Sequence, residues 1–93
     1  MTKKQILEKI FSLFPAKIVK TVIWYGNRKG KDIDLFIILK DVSIEYGNLR
    51  KFPLDIVYMS ELFFKKSIKN FDPMATDPIL TGNHIYGKKH TQH

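Results

Sequence analysis

The chain begins with apolar side chains at helical spacing. Between residues 6 and 14 they recur three or four positions apart, which places them on one face of a helix. Thr2 and Gln5 have the spacing of a capping box at the start of this helix, and Pro15 ends it. We therefore predict an amphipathic first helix whose apolar stripe packs in the core: Ile6, Leu7, Ile10, Phe11, Leu13 and Phe14.

Three later stretches favour strands over helices. Residues 17–25, 32–39 and 52–58 are short and rich in β-branched and aromatic side chains. The intervening residues 40–52 are polar and contain Tyr46-Gly47-Asn48, which predicts a loop. The pattern thus predicts three strands with a long polar connection between the second and the third.

A second helix is predicted after the third strand. Ser60 is a favourable N-cap residue, and the helix extends to about Asn70. Pro73 and Pro78 are expected to break regular structure beyond it. Residues 88–93 are expected to form a flexible tail. The apolar side chains available for burial on the second helix are Leu62, Phe63 and Ile68.

The composition predicts one small domain spanning residues 1–93. A chain of 93 residues that is 44% hydrophobic can bury a single core. The absence of cysteine excludes disulfides, thiolate nucleophiles and zinc–thiolate sites. No stretch resembles a signal peptide or approaches the ~20 apolar residues needed to cross a bilayer, so we expect a cytoplasmic protein without a membrane partner.

The charge balance favours an acidic partner. Sixteen Lys and Arg residues face nine Asp and Glu residues, giving a formal net charge of +7. Such a balance suits nucleotides, RNA or an acidic protein surface. A solvated lysine-rich surface is the better explanation for the scattered lysines, and no aromatic residues interleave the basic clusters to make a stacking platform. RNA binding therefore rests on charge alone.

Two carboxylates open the second predicted strand. Asp32 and Asp34 alternate with apolar residues and so share one face. Like charges at this spacing are destabilising unless a cation lies between them or one acid is protonated, and oxygen ligands suit Mg²⁺ or Mn²⁺. Asp55, near the start of the third predicted strand, would complete a three-carboxylate site if the two strands were neighbours. Taken without Asp55, the pair Asp32 and Asp34 can also be explained as an ordinary solvated strand end with surface ion pairs.

The order of these motifs resembles that of the DNA polymerase beta-like nucleotidyltransferases, and within them the small stand-alone minimal nucleotidyltransferase domains. Members of this family have an apolar strand ending in Gly-Ser or Gly-Gly, an acid-hydrophobic-acid triplet opening the next strand, and a third acid on a later strand. Their closing segment commonly ends in an apolar-Tyr-Gly turn. The matching parts here are Gly26-Asn27 after an apolar strand, Asp32-Ile33-Asp34, Asp55, and residues 77–87.

The resemblance implies both a fold and a chemistry. The fold would be α/β (α+β), a small nucleotidyltransferase-like domain with a twisted mixed sheet flanked by helices. Asp32 and Asp34 would bind Mg²⁺ (or Mn²⁺) at the phosphates of ATP or another nucleoside triphosphate. Asp55 would also bind metal and help to deprotonate the attacking hydroxyl. All three acids would therefore be catalytic and metal-binding residues.

The glycine-containing loop before Asp32 is the candidate phosphate-binding segment. Gly26 would allow close approach of the backbone to phosphate. Relatives usually have a longer segment here, with a short helix whose amides approach the phosphates, and Asn27 replaces their serine or glycine. The predicted nucleotide-binding residues are Gly26, Asn27, Arg28, Lys29 and Lys31, the three cations substituting for the missing helix amides.

The resemblance also implies a partner. Minimal nucleotidyltransferases are often paired with helical HEPN-type proteins in toxin–antitoxin systems, and some transfer AMP to that partner. A domain this small lacks the extra domains of larger relatives, so an oligomer or hetero-complex is expected. The alternative is a non-catalytic module with the same fold that neutralises or scaffolds a HEPN-type partner or binds RNA.

Overall fold

A computed structural model of the chain describes residues 1–26 and 32–87. A short 3₁₀ turn, Ala16–Ile18, leads from the first helix into the first strand. The helices and strands within the described ranges are, in chain order, α1 (Lys3–Leu13), β1 (Val19–Tyr25), β2 (Ile33–Leu39), β3 (Tyr46–Lys51), β4 (Leu54–Ser60), α2 (Glu61–Lys69), α3 (Pro73–Thr81) and β5 (Asn83–Tyr86).

The strands form one mixed sheet in the order β3-β4-β2-β1-β5. β2 and β4 are parallel, and the other neighbouring pairs are antiparallel. Because β2 and β4 run in the same direction, the chain must return from the end of one to the start of the other. β3 is that return segment, and it pairs with β4 at the outer edge of the sheet.

Both faces of the sheet are covered. On one face, the α1 side chains Ile6 and Ile10 pack on alternate residues of β2, including Leu35 and Ile37. On the other, the intervening β2 residues pack against α2 and α3, as in the edge-to-face contact of Phe36 with Phe64 at 6.0 Å between ring centres. β2 therefore lies in the middle of the core, and the predicted small α/β architecture with a mixed sheet between helices is confirmed.

The predicted caps of the first two helices are also confirmed. Thr2 and Gln5 form a capping box, in which Thr2 Oγ1 accepts from the Gln5 amide at 3.1 Å and Gln5 Oε1 accepts from the Thr2 amide at 2.8 Å. Ser60 Oγ accepts from the Phe63 amide at 3.1 Å and so caps α2. These short-range contacts satisfy backbone amides that have no partner within the helix.

The prediction of a loop over residues 40–52 holds for residues 40–45 but is wrong for Tyr46–Lys51, which forms strand β3. An edge strand has one neighbour and exposes most of its side chains, so it lacks the alternating apolar pattern of a buried strand. Its backbone pairs with β4, and the Tyr46 ring stacks on Phe63 of α2 at 5.6 Å. The third predicted strand is displaced accordingly, since Phe52 and Pro53 form the turn between β3 and β4.

The expectation that Pro73 and Pro78 break regular structure is also wrong, because both lie in α3. Pro73 occupies the first helical position, where no amide hydrogen is needed, and Asp72 caps the helix. Pro78 is inside the helix and buried, so tertiary packing outweighs its unfavourable helix propensity. On α2, Phe64 is buried in place of the expected Leu62, which is exposed.

No helix in residues 1–26 and 32–87 is long and apolar enough to cross a membrane. The expected tail over residues 88–93 lies outside the described residues.

Truncating a buried side chain of α1 tests whether this helix packs on the sheet. Ile10 is fully buried, so Ile10→Ala is expected to lower the free energy of unfolding by about 2–5 kcal/mol. Leu80→Ala is the matched control, because Leu80 on α3 is mostly exposed and its truncation should change stability by less than about 0.5 kcal/mol. Urea unfolding followed by circular dichroism measures both, and equal losses would contradict the packing of α1 on the sheet.

Candidate active site

Asp34 and Asp55 lie side by side near the starts of β2 and β4. They are paired in the parallel register of the two strands, and residues paired in this way point to the same face of a sheet. The neighbouring Ile33 and Leu35 pack on the α1 side, so Asp34 and Asp55 lie on the face covered by α2 and α3. The structure thus brings these two predicted site residues together.

Arg50 links Asp55 to the third predicted acid. Arg50 Nη2 lies 3.3 Å from Asp55 Oδ2 and 4.0 Å from Asp32 Oδ2. Asp32 precedes β2 directly and has a half-exposed side chain. All three acids therefore lie at the edge of the sheet where β2 and β4 begin, and a guanidinium is in contact with two of them.

Asn48 fixes the other oxygen of Asp55. Its side-chain amide donates to Asp55 Oδ1 at 2.9 Å and to the Ile56 carbonyl at 2.9 Å. Each Asp55 oxygen therefore has a donor on β3, since Arg50 contacts Oδ2. This pair of contacts holds the carboxylate in one orientation on the sheet.

The acids repel one another electrostatically. The pKa of Asp34 is raised above its ordinary value by burial and then by the charges of Asp55 and Asp32, while Arg50 acts to lower it. The pKa of the Tyr25 hydroxyl is also raised, by burial and by the charges of Asp34 and Asp55. Tyr25 is paired with Asp34 across β1 and β2, so its ring belongs to the same edge of the sheet.

Gly26 packs directly against Asp34. A Cβ at this position would lie 2.5 Å from Asp34 Oδ2, and the backbone φ of +79° is one that side-chain-bearing residues rarely adopt. The structure thus gives Gly26 a role in addition to its predicted approach to phosphate. Glycine here leaves room for the carboxylate at the end of β1.

An open pocket adjoins the acids. It has a volume of about 190 Å³ and is lined by Asp32, Arg50, Phe52, Leu54 and Asp55. The Phe52 side chain is 81% exposed, so this edge combines charged groups with an accessible aromatic ring. The pocket opens Asp32 and Asp55 to solvent.

The arrangement is not a preformed metal cage. In the described part of the chain, no three His, Asp or Glu side chains are placed so that they could hold a metal ion together. Asp32 and Asp55 are instead both in contact with Arg50. The donor chemistry fits Mg²⁺ or Mn²⁺, since all three groups are carboxylates, but their joint coordination of an ion would require rearrangement around Arg50.

The remaining predicted phosphate contacts, Asn27, Arg28, Lys29 and Lys31, lie outside the described residues. The structure adds three residues that sequence reasoning did not assign to the site: Asn48, Arg50 and Tyr25. Asn48 and Arg50 alternate along β3, and a strand prediction there would have placed both on one face. Their position beside Asp55 follows from the register of β3 with β4.

Among solved structures, the fold is similar to that of a nucleotidyltransferase-like protein from Exiguobacterium sibiricum, with a TM-score of 0.67 and 19% sequence identity. The match covers 94% of this chain and 34% of that one, so this chain spans about a third of the length of that protein. No protein-family model matches the chain, and no curated protein matches it either. The likeness shows a nucleotidyltransferase-like fold.

The raised pKa of Asp34 predicts a pH-dependent gain in stability on neutralising it. An ionised Asp34 is disfavoured in the folded protein, so it costs stability above its folded pKa and costs nothing well below its ordinary pKa of 3.8. Asp34→Asn is therefore expected to be more stable than the wild type at pH 7 in EDTA, and the difference should shrink as the pH falls through the carboxylate range.

Urea unfolding at several pH values measures this difference, and Asp77→Asn on α3 serves as the control for loss of an exposed carboxylate. A loss of stability in Asp34→Asn at pH 7 would contradict the electrostatic account of the site.

Proposed function

We propose that this protein is a metal-dependent nucleotidyltransferase that transfers AMP from ATP to a partner protein. The observation that carries the proposal is the placement of Asp34 beside Asp55, with Asp32 at the same edge, on a nucleotidyltransferase-like sheet. The raised pKa of Asp34 further supports it, because a carboxylate whose pKa is raised by burial and by neighbouring acids is typical of functional centres.

Asp32, Asp34 and Asp55 are the residues that would hold Mg²⁺ or Mn²⁺. Oxygen-only ligands suit these ions, and a site open to solvent leaves positions for phosphate oxygens. When bound, the ion supplies positive charge that offsets the negative charge of the triphosphate.

The reaction is a displacement at the α-phosphorus of ATP. A hydroxyl oxygen of the acceptor forms a bond to the α-phosphorus, the bond from that phosphorus to the oxygen bridging to the β-phosphate breaks, and pyrophosphate leaves. We assign the hydroxyl proton to Asp55, because Asn48 fixes its Oδ1 and the carboxylate lines the open pocket. Positioning of the reacting groups supplies much of the catalysis in such transfers.

The proposed phosphate contacts are Gly26, Asn27, Arg28, Lys29 and Lys31, which follow β1 in the sequence and precede Asp32. The net charge of +7 favours a triphosphate at this basic segment. The proposed acceptor is a helical HEPN-type protein with which this chain forms a complex, as the family resemblance implies.

A non-catalytic module with the same fold is the second candidate. The specific observation in its favour is Arg50, which contacts two of the three acids and reduces their repulsion without a metal ion. Such a module would bind and neutralise or scaffold its HEPN-type partner without transferring a nucleotide. The two candidates differ in whether ATP binding depends on a divalent cation.

Binding of ATP with Mg²⁺ is expected to stabilise the fold. A ligand that binds only the folded state, at about 100 times its Kd, adds about 2.7 kcal/mol to the free energy of unfolding. Asp34→Asn should lose most of the shift in Tm, measured by differential scanning fluorimetry against each variant's own ligand-free value. Asp77→Asn, on the exposed surface of α3, should keep the shift. No Mg²⁺-dependent shift in the wild type at millimolar concentrations would favour the non-catalytic module.

Nucleotidyl transfer is tested with two labels. ATP labelled in its α-phosphate, incubated with Mg²⁺, this protein and a HEPN-type partner, should label the partner, whereas ATP labelled in its γ-phosphate should not. The second label excludes phosphoryl transfer, which would move the γ-phosphate. Labelling should disappear in the Asp32→Asn, Asp34→Asn double variant. Labelling that persists in that variant would assign the activity to a contaminant.

A further inference from the structure

One nitrogen of Arg50 contacts both outer carboxylates of the site. Nη2 lies 3.3 Å from Asp55 Oδ2 and 4.0 Å from Asp32 Oδ2. Arg50 is paired with Asp55 in the register of β3 and β4, so its side chain starts directly beside this acid. The backbone therefore anchors a permanent positive charge at the acids.

The charge of Arg50 offsets a repulsion that would otherwise destabilise the site. Asp32, Asp34 and Asp55 lie at one sheet edge, and their charges act on one another. Arg50 opposes this effect: burial and then the other two acids raise the pKa of Asp34, and the guanidinium acts to lower it. A divalent cation bound to the same carboxylates would have the same electrostatic effect.

We infer that Arg50 is a tethered counter-cation that competes with a divalent cation for Asp32 and Asp55. The inference rests on the proposed metal site of the nucleotidyltransferase. Metal entry displaces the guanidinium from the two carboxylate oxygens, and loss of the metal lets it return. Part of the negative charge of the site is thereby offset in both states, and the apparent metal affinity is lower than the three carboxylates alone would give.

The ion pairs of Arg50 are weak enough to be displaced. Its side chain is 70% exposed, and those of its partners Asp32 and Asp55 are 53% and 24% exposed. The ion pairs of so exposed a guanidinium are screened by water and cost side-chain entropy. Asn48 continues to hold Asp55 Oδ1 when Arg50 leaves, because that hydrogen bond comes from a different residue of β3. The carboxylate therefore keeps its orientation during the exchange.

Removing the guanidinium is expected to tighten metal binding. Mn²⁺ is titrated into the full chain without nucleotide, and free Mn²⁺ is measured by its electron paramagnetic resonance signal. Arg50→Gln should bind Mn²⁺ roughly three- to tenfold more tightly than the wild type, which is the range expected for loss of two competing ion pairs. Arg50→Lys, which keeps the charge but loses the planar fork, should stay closer to the wild type.

Lys51→Gln is the matched control. It removes one positive charge from the next residue of β3, which points to the opposite face of the sheet. Its Mn²⁺ affinity should change by about twofold or less, because a distant exposed charge is largely screened. Unchanged affinity in Arg50→Gln, or an equal gain in Lys51→Gln, would overturn the inference.

A second measurement uses only the wild-type protein. The Arg50 Nε–H resonance in a nitrogen-15 NMR spectrum should shift on titration with Mg²⁺. The midpoint of this shift should equal the midpoint of the Mg²⁺ binding curve. An unmoved resonance while Mg²⁺ binds would overturn the competition.

The two proposals fail separately. Tighter Mn²⁺ binding by Arg50→Gln without any Mg²⁺-dependent ATP binding would support the competition and count against the transferase. Partner labelling that requires Asp32 and Asp34, with no gain of Mn²⁺ affinity in Arg50→Gln, would support the transferase and overturn the competition.

Discussion

The parallel pairing of β2 with β4 is the contact on which the rest of the structure depends. It places Asp34 directly beside Asp55, although the two residues are 21 positions apart in the chain. It also requires a return segment, which β3 supplies at the outer edge of the sheet. The segment that makes the pairing possible thus carries Asn48 and Arg50 to the acids. The parallel pairing of β2 with β4 therefore determines both the strand order and the residues that surround the acids.

The acids at this edge work against the stability of the fold. Burial and mutual repulsion raise the pKa of Asp34, and Gly26 leaves space for its carboxylate where any larger residue would collide with it. The buried middle of the sheet offsets this cost, because Phe36, Ile37 and Ile38 of β2 are fully buried. A rigid, well-packed strand can hold an unfavourable charge cluster at its end, as functional sites commonly require.

Arg50 connects the two candidate functions. A guanidinium in contact with Asp32 and Asp55 reduces their repulsion without a metal ion, which suits a non-catalytic module. Under our inference, the same contacts are exchanged for a divalent cation, which suits a transferase that is stable before its metal arrives. The two candidate functions differ in whether a divalent cation replaces Arg50 Nη2 at Asp32 and Asp55. The likeness to a nucleotidyltransferase-like structure at 19% identity is compatible with both.

The sequence by itself determined the elements whose cause is local. The capping box of Thr2 and Gln5, the Ser60 cap and the alternation of Asp32 and Asp34 with apolar residues follow from contacts within a few positions. Strand β3 and helix α3 were missed, because β3 is an edge strand stabilised by pairing with β4, and α3 tolerates the buried Pro78 through packing. Only the tertiary structure decided that Asp55 meets Asp34 and that Arg50 lies among the acids. Those contacts join residues on different strands, and strand order and register depend on the whole core rather than on any local pattern.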